Sequence, residues 1–318
     1  MDGNQADGNQ AGASTGPGVR TRWVAVAVAV LVLVGAAAVW QVRGGDDSGG
    51  TASTSPSSTA GTPPSSTTGT SGVSTTAPAA SGDALAVAAR TRVFFGHQSV
   101  GGNIVEAIPA AFAAAGREPV AVVETDGPAG GAWFGQAAIG ENTQPQTTSD
   151  EFGRLLRGGL ADRVDVAFMK FCYVDVDANT DVDALFTAYR TAAAALEQEF
   201  PEVRFLHVTV PLTTISDADG LADGSRPALS RGNGEVLDNA ARQELNALIR
   251  STYPAAQVFD LAAVESTAPD GTRVVGTLAG AEVYALYEGY SDDGGHLNAE
   301  GARRAATAMF EAIAAVQR

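Results

Sequence analysis

The sequence predicts a doubly wound α/β domain on a five-stranded parallel sheet, and three observations carry that prediction. Between residues 83 and 318, short apolar runs rich in Val and Phe alternate with segments of helical period. One run, 164–173 (VDVAFMKFCY), is nearly continuously apolar, as a central strand covered on both faces must be. Cysteine occurs once, at Cys172, so no intrachain disulfide substitutes for a core.

The elements follow in order. Residues 92–96 (RVFFG) read as a first strand, and 103–115 as a helix in which Pro109 predicts a kink. Residues 119–124 (PVAVVE) form a second strand. The Gly-rich stretch 127–149 is a loop too long to be mere connection. A helix starts at 150–156, with Phe152, Leu155 and Leu156 on one face. After the central strand, 181–199 is amphipathic through Val182, Leu185, Phe186, Tyr189 and Leu196. Residues 203–210 (VRFLHVTV) make a fourth strand, stopped by Pro211. Helix 235–250, a fifth strand at 257–261 and a second long loop, 266–295, come next. The last helix, 298–316, buries Ala302, Ala306, Met309, Phe310 and Ile313, with Asn298 placed to cap it.

Upstream of the domain the chain has three parts. Residues 1–22 are a polar tail ending in Arg20 and Arg22. Residues 23–42 (WVAVAVAVLVLVGAAAVWQV) carry no charge; at 1.5 Å per residue they span about 30 Å, the thickness of a bilayer core. Trp23 and Trp40 sit near its two ends, as interfacial rings do, and two arginines before against one after favour a cytoplasmic N-terminus. A signal peptide cleaved near Ala36–Ala38 is the competing reading, but its apolar region should be only about 7–15 residues long. An uncleaved membrane anchor is therefore favoured, and either reading exports the rest. Residues 44–82 hold 31 Ser, Thr, Gly or Pro out of 39, which cannot bury enough apolar surface to offset ordering, so they read as a disordered linker.

The whole chain has 36 acidic and 20 basic residues, net −16, and the span 83–318 carries −15 of it. That balance argues against a nucleic-acid backbone as partner, which needs a basic face.

In such a sheet, ligands bind beyond the carboxyl ends of the strands. Two loops there hold suspicious residues. The first reads Gly96-His97-Gln98-Ser99-Val100-Gly101-Gly102-Asn103 and puts Ser99 between a strand and a helix, where free backbone N–H groups favour developing negative charge. Alone, Ser99 fits a helix cap better than a nucleophile. The second reads Asp292-Asp293-Gly294-Gly295-His296-Leu297-Asn298. A tight turn would let Asp293 accept from one ring nitrogen of His296 while the other faces the cleft; a solvated acidic turn fits as well. Together they supply a nucleophile, a base and an orienting carboxylate. The G-x-S-x-G elbow of α/β-hydrolases is absent around Ser99.

These blocks, FFGHQSVGGN and DGGHLNAEG, resemble the SGNH/GDSL hydrolase superfamily, in a divergent branch whose first block reads G-H-Q-S. The resemblance covers 83–318 and implies a flavodoxin-like three-layer α/β/α sandwich. It also implies ester hydrolysis, with Ser99 as nucleophile, His296 as base and acid, Asp293 as orienter, and no metal or organic cofactor. The family's oxyanion hole implies N–H donors from Ser99 and from a second-block glycine, best matched by Gly140, with Gly130 and Gly131 weaker. Its third donor is an asparagine that would stand where this sequence has Val174. Asn142 or Asn103 would have to substitute. His97 either touches substrate or holds the Ser99 loop.

The remaining polar residues have quieter readings. Lys170, inside the central strand, reads as a salt-bridged structural lysine, His207 as a satisfied core histidine and Cys172 as buried and inert. Trp133 and Phe134 suit a substrate wall or plain packing equally. Asp175, Asp177, Asp181 and Asp183 fail the calcium-loop pattern and read as a solvated turn and helix start. The expectation is thus a membrane-tethered, extracytoplasmic serine esterase whose partner is a small-molecule or polysaccharide ester of the cell envelope. The alternatives are a binding module on the same fold and an acyltransferase.

Overall fold

Strand β1 (Arg92–His97) holds the centre of the sheet because its side chains are buried on both faces: Val93 and Phe95 point to one side, Phe94 to the other. The computed structural model of the protein describes residues 82–215 and 232–317. The predicted tail, membrane span and all but the last residue of the linker lie outside the described residues. Among the described residues no helix is long and apolar enough to cross a membrane.

The described chain is mixed α/β. The other main-sheet strands are β2 (Val122–Glu124), β3 (Trp133–Ala138), β4 (Val166–Met169), β5 (Arg204–Val208) and β6 (Val258–Phe259). Their order is β2-β3-β1-β4-β5-β6, and every pairing is parallel. The sheet therefore has six strands where the sequence reading expected five. The added strand, β3, lies inside the stretch expected to be loop. Gly135 conceals it: a Cβ there would stand 2.2 Å from the Thr125 carbonyl oxygen, so the residue that looks like a breaker is the one the packing requires. Trp133 and Phe134 are core residues of β3, at 1% and 0% exposure, and form no substrate wall.

Helices cover both faces. On one side α1 (Gly82–Ala88), α2 (Ser99–Glu106), α3 (Ile108–Ala114), α7 (Leu261–Glu265) and α8 (Ala299–Val316) pack on Val93, Phe95, Val166 and Phe168. On the other, α4 (Pro145–Leu155), α5 (Val182–Glu199) and α6 (Gly232–Thr252) pack on Phe94, Ala167, Met169 and Phe205. The helix expected at 103–115 starts four residues earlier and breaks at Ala107, with Pro109 in the first turn of α3, where its missing N–H costs nothing. Asp181 caps α5 by accepting from Ala184 N, and Asn298 caps α8 by accepting from Glu300 N and Gly301 N. The loop expected at 266–295 contains an antiparallel hairpin, β7 (Val275–Leu278) and β8 (Ala281–Tyr284).

The chain leaves β1 toward β2 and leaves β4 toward β5, so connections diverge between the neighbouring strands β1 and β4. Their carboxyl ends bound the crevice where doubly wound sheets bind ligands.

His207 is buried near the end of β5. Its Nδ1 is 2.8 Å from the Tyr189 hydroxyl and its ring stacks on Tyr253 at 3.3 Å. Among the described residues its Nε2 makes no hydrogen bond, and Glu197 Oε1 lies 3.3 Å from it. Burial pushes the imidazole down to about 3, so it is neutral in the fold near neutrality. The unfolded chain binds a proton below about 6.5 that the fold refuses, so stability falls as pH drops from there toward 3, by at most about 1.4 kcal/mol per pH unit. His207→Gln should lose less Tm than the parent between pH 6.5 and 4; parallel curves would contradict this.

Candidate active site

His97 ends β1 and Gln98 turns the chain into α2. Gln98 is extended (φ −128°, ψ −166°), and its carbonyl accepts from Gly101 N at 2.7 Å and Gly102 N at 3.2 Å. The helix closes back over the His97 ring so tightly that a Cβ on Gly101 would lie 2.3 Å from His97 Cβ. His97 is buried, with Nδ1 3.0 Å from the Gln98 carbonyl and Nε2 2.8 Å from Gln136 Oε1. Both ring nitrogens face protein oxygens, so His97 ties the Ser99 turn to β3. Burial lowers its pKa.

Ser99 is exposed in the first turn of α2. Among the described residues its Oγ makes no hydrogen bond, and neither its N–H nor that of Val100 has an acceptor. These are the donors that a helix start leaves unsatisfied, and they carry the positive end of the helix dipole.

The second loop is built around Asp293. Its Oδ1 accepts from Gly295 N at 3.0 Å and His296 N at 2.8 Å, and its Oδ2 lies 2.6 Å from His296 Nδ1. Gly294 permits the turn with φ +87°. Ser291 Oγ donates to the His296 carbonyl at 2.6 Å and accepts from Gly294 N. The hydrogen bond from His296 and the two backbone donors hold the Asp293 carboxyl far below the usual carboxylate range. An ionised Asp293 assigns the ring proton to Nδ1 and leaves Nε2 as the basic nitrogen. Nε2 makes no hydrogen bond among the described residues.

Asn103 ties the two loops together. Its Oδ1 accepts from Leu297 N at 3.2 Å, 194 residues along the chain. Ser99 lies four residues before Asn103, on the same face of α2, with Cβ atoms about 5–6 Å apart. The turn carrying Ser99 and the loop carrying His296 thus share one rim of the sheet, although no hydrogen bond joins the two side chains.

The second-block donor is not free. The Gly140 N–H donates to Glu151 Oε2 at 2.9 Å, and its φ of +74° packs the residue against Thr148. Gly130 and Gly131 precede β3 and so lie at its amino end, away from the carboxyl rim. Asn142 is exposed and makes no hydrogen bond among the described residues. Its neighbour Thr143 donates through N to Asp175 Oδ1 at 2.8 Å, which moors that turn to the end of β4.

Below the rim lies a buried polar cluster that the sequence reading resolved only in part. Lys170 is 1% exposed, and among the described residues it forms no ion pair and its Nζ reaches only the Phe171 carbonyl, at 3.3 Å. Glu265, also 1% exposed, accepts from Leu212 N at 2.7 Å through Oε2, while among the described residues its Oε1 has no partner. Arg242 donates through Nε to the carbonyls of Tyr173 and Val176, both at 3.0 Å, and through Nη1 to Thr213 Oγ1 and Asn239 Oδ1. Asp175 is buried rather than solvated, and accepts from Cys172 N at 2.7 Å. Tyr173, which the sequence reading passed over in favour of Val174, sets its ring 5.7 Å from that of His296.

No family model matches the chain, and no curated protein matches it. A search of solved structures finds a protein described as "a putative platelet activating factor from Streptococcus pneumonia". It is 15% identical, covers 72% of this chain and 86% of that one, and has a TM-score of 0.38. At that similarity nothing about chemistry follows.

Burial pushes the Glu265 carboxyl up to about 8. Between about pH 4.5 and 8 the fold keeps a proton the unfolded chain has lost, so stability drains as pH rises through that window. Glu265→Gln removes this loss. Its Tm relative to the parent should climb from pH 5 to 8 and then level; a constant difference would mean Glu265 is ionised throughout.

Proposed function

We propose that the domain is a serine ester hydrolase of SGNH type on a flavodoxin-like sandwich. Ser99 is its nucleophile, His296 its general base and acid, and Asp293 the group that orients and charges the imidazole. The observation that carries this reading is the Asp293–His296 pair on a loop tethered to α2 one turn beyond Ser99. It is the base-and-orienter half of a triad, with the basic nitrogen unoccupied. Attack by Ser99 Oγ on an ester carbonyl passes its proton to His296 Nε2. The oxyanion then meets the free N–H groups at the start of α2, and His296 returns the proton to the leaving alkoxide. Water repeats the sequence to release the acid.

The apolar span at 23–42 supports a place for the domain outside the membrane, and with it an envelope ester as substrate. The second reading, a binding module, draws on the Gly140 N–H, which is already bonded to Glu151.

Labelling of the full-length chain by a fluorophosphonate decides between them. The parent should label, Ser99→Ala should not, and Asp293→Asn should slow aryl-ester turnover by up to about 10⁴-fold through loss of the required tautomer. Labelling that survives in Ser99→Ala would show a different nucleophile, and a parent that neither labels nor turns over would favour the binding module.

A further inference from the structure

Beyond β4 the chain runs extended through Lys170–Cys172 and turns at Tyr173–Asp175, a single 3₁₀ turn. The backbone of this turn is pinned from both sides. Arg242 Nε takes the Tyr173 carbonyl at 3.0 Å, and Asp175 Oδ2 takes Cys172 N at 2.7 Å. The Tyr173 ring is half-buried against the core shared by α2 and α8, with the Arg242 guanidinium 5.8 Å from its centroid.

Its hydroxyl reaches out over the His296 loop. A Cβ on Gly295 would lie 2.9 Å from the phenol oxygen, so the glycine before His296 leaves the space this hydroxyl occupies. The ring meets the His296 ring edge-on, at 74°. Among the described residues the hydroxyl makes no hydrogen bond. The phenol is thus fixed at its ring and its backbone while its polar end is left free to donate to a bound group. Desolvation, with the nearby charge of Asp293, raises its pKa, so the group is a donor at neutral pH.

We propose that the Tyr173 hydroxyl is a catalytic hydrogen-bond donor to the substrate oxygen that becomes the oxyanion, acting beside the Ser99 N–H. This rests on the esterase reading above. As the Ser99 Oγ–carbon bond forms, the carbonyl π pair moves onto oxygen and the serine proton moves to His296 Nε2. The Tyr173 O–H donates to the new charge without giving up its proton, and the carbonyl re-forms as the alkoxide leaves with the proton from His296. A donor aimed at charge that exists only in the transition state raises kcat without tightening ground-state binding.

The test is steady-state turnover of a short aryl ester by the full-length chain and its Tyr173→Phe variant, with melting curves for both. Phe keeps the ring, and the lost hydroxyl has no protein partner, so Tm should stay within about 2 °C. The expected result is a fall of about 10²–10³-fold in kcat and in kcat/KM together, with KM unchanged. Gly295→Ala, which crowds the phenol oxygen, should lower kcat in the same direction, and serves if the Phe variant does not fold. Parental kcat in Tyr173→Phe, with the parent active and labelled at Ser99, would overturn the donor role and leave the esterase reading standing. A rise in KM alone would also overturn it, as ground-state binding. A parent inert to both ester and fluorophosphonate would overturn both.

Discussion

One hydrogen bond joins segments nearly two hundred residues apart, and the candidate site depends on it: Asn103 Oδ1 receives Leu297 N. Leu297 follows His296 and Asn298 caps α8, so the contact sets where the imidazole loop meets the start of α2. It holds because α8 is seated below it. Phe310 is fully buried, 5.1 Å from Phe112 of α3 and 6.1 Å from Phe134 of β3, and α8 packs on α1, α2, α3 and α7 as well. Truncating such a phenylalanine costs about 3–5 kcal/mol. The rim of the site is therefore only as firm as the docking of the last helix. The candidate site is complete only once α8 has folded onto the elements around β1.

Charge is distributed differently above and below the rim. Above it, Asp293 is exposed, and backbone donors and the imidazole keep it ionised. Below it, Lys170, Glu265 and Arg242 are buried together, where full ionisation is costly. The Lys170 pKa is lowered and the Glu265 pKa raised, both chiefly through desolvation, so burial works against each of the two charges. Arg242 remains the fixed cation, and its guanidinium carries the turn on which Tyr173 stands.

Much of the layout was legible from residue pattern. The continuous apolar run around Phe168 became β4, buried on both faces, and Pro109 marked the break between α2 and α3. Asn298 capped the last helix as its position suggested. Other features answer to packing that no local pattern displays. Gly135 disguised β3 as loop because the Thr125 carbonyl approaches it, and the short strands of the β7–β8 hairpin lay unread within the stretch 266–295. At the site, the turn that pairs Asp293 with His296 was readable from two glycines and a three-residue spacing. The engagement of the Gly140 N–H by Glu151 was not, since it depends on how α4 is set against the sheet. Lys170 suggested an ion pair by its cost, yet the structure gives it only a carbonyl and the distant influence of Glu265 and Asp175.

The most direct measurement is a crystal structure of the protein after reaction with a fluorophosphonate. The account predicts phosphorus bonded to Ser99 Oγ, with His296 Nε2 within about 3.2 Å of an oxygen on that phosphorus. Phosphorus on another side chain, or an imidazole too far from the adduct for even one bridging water, would contradict it.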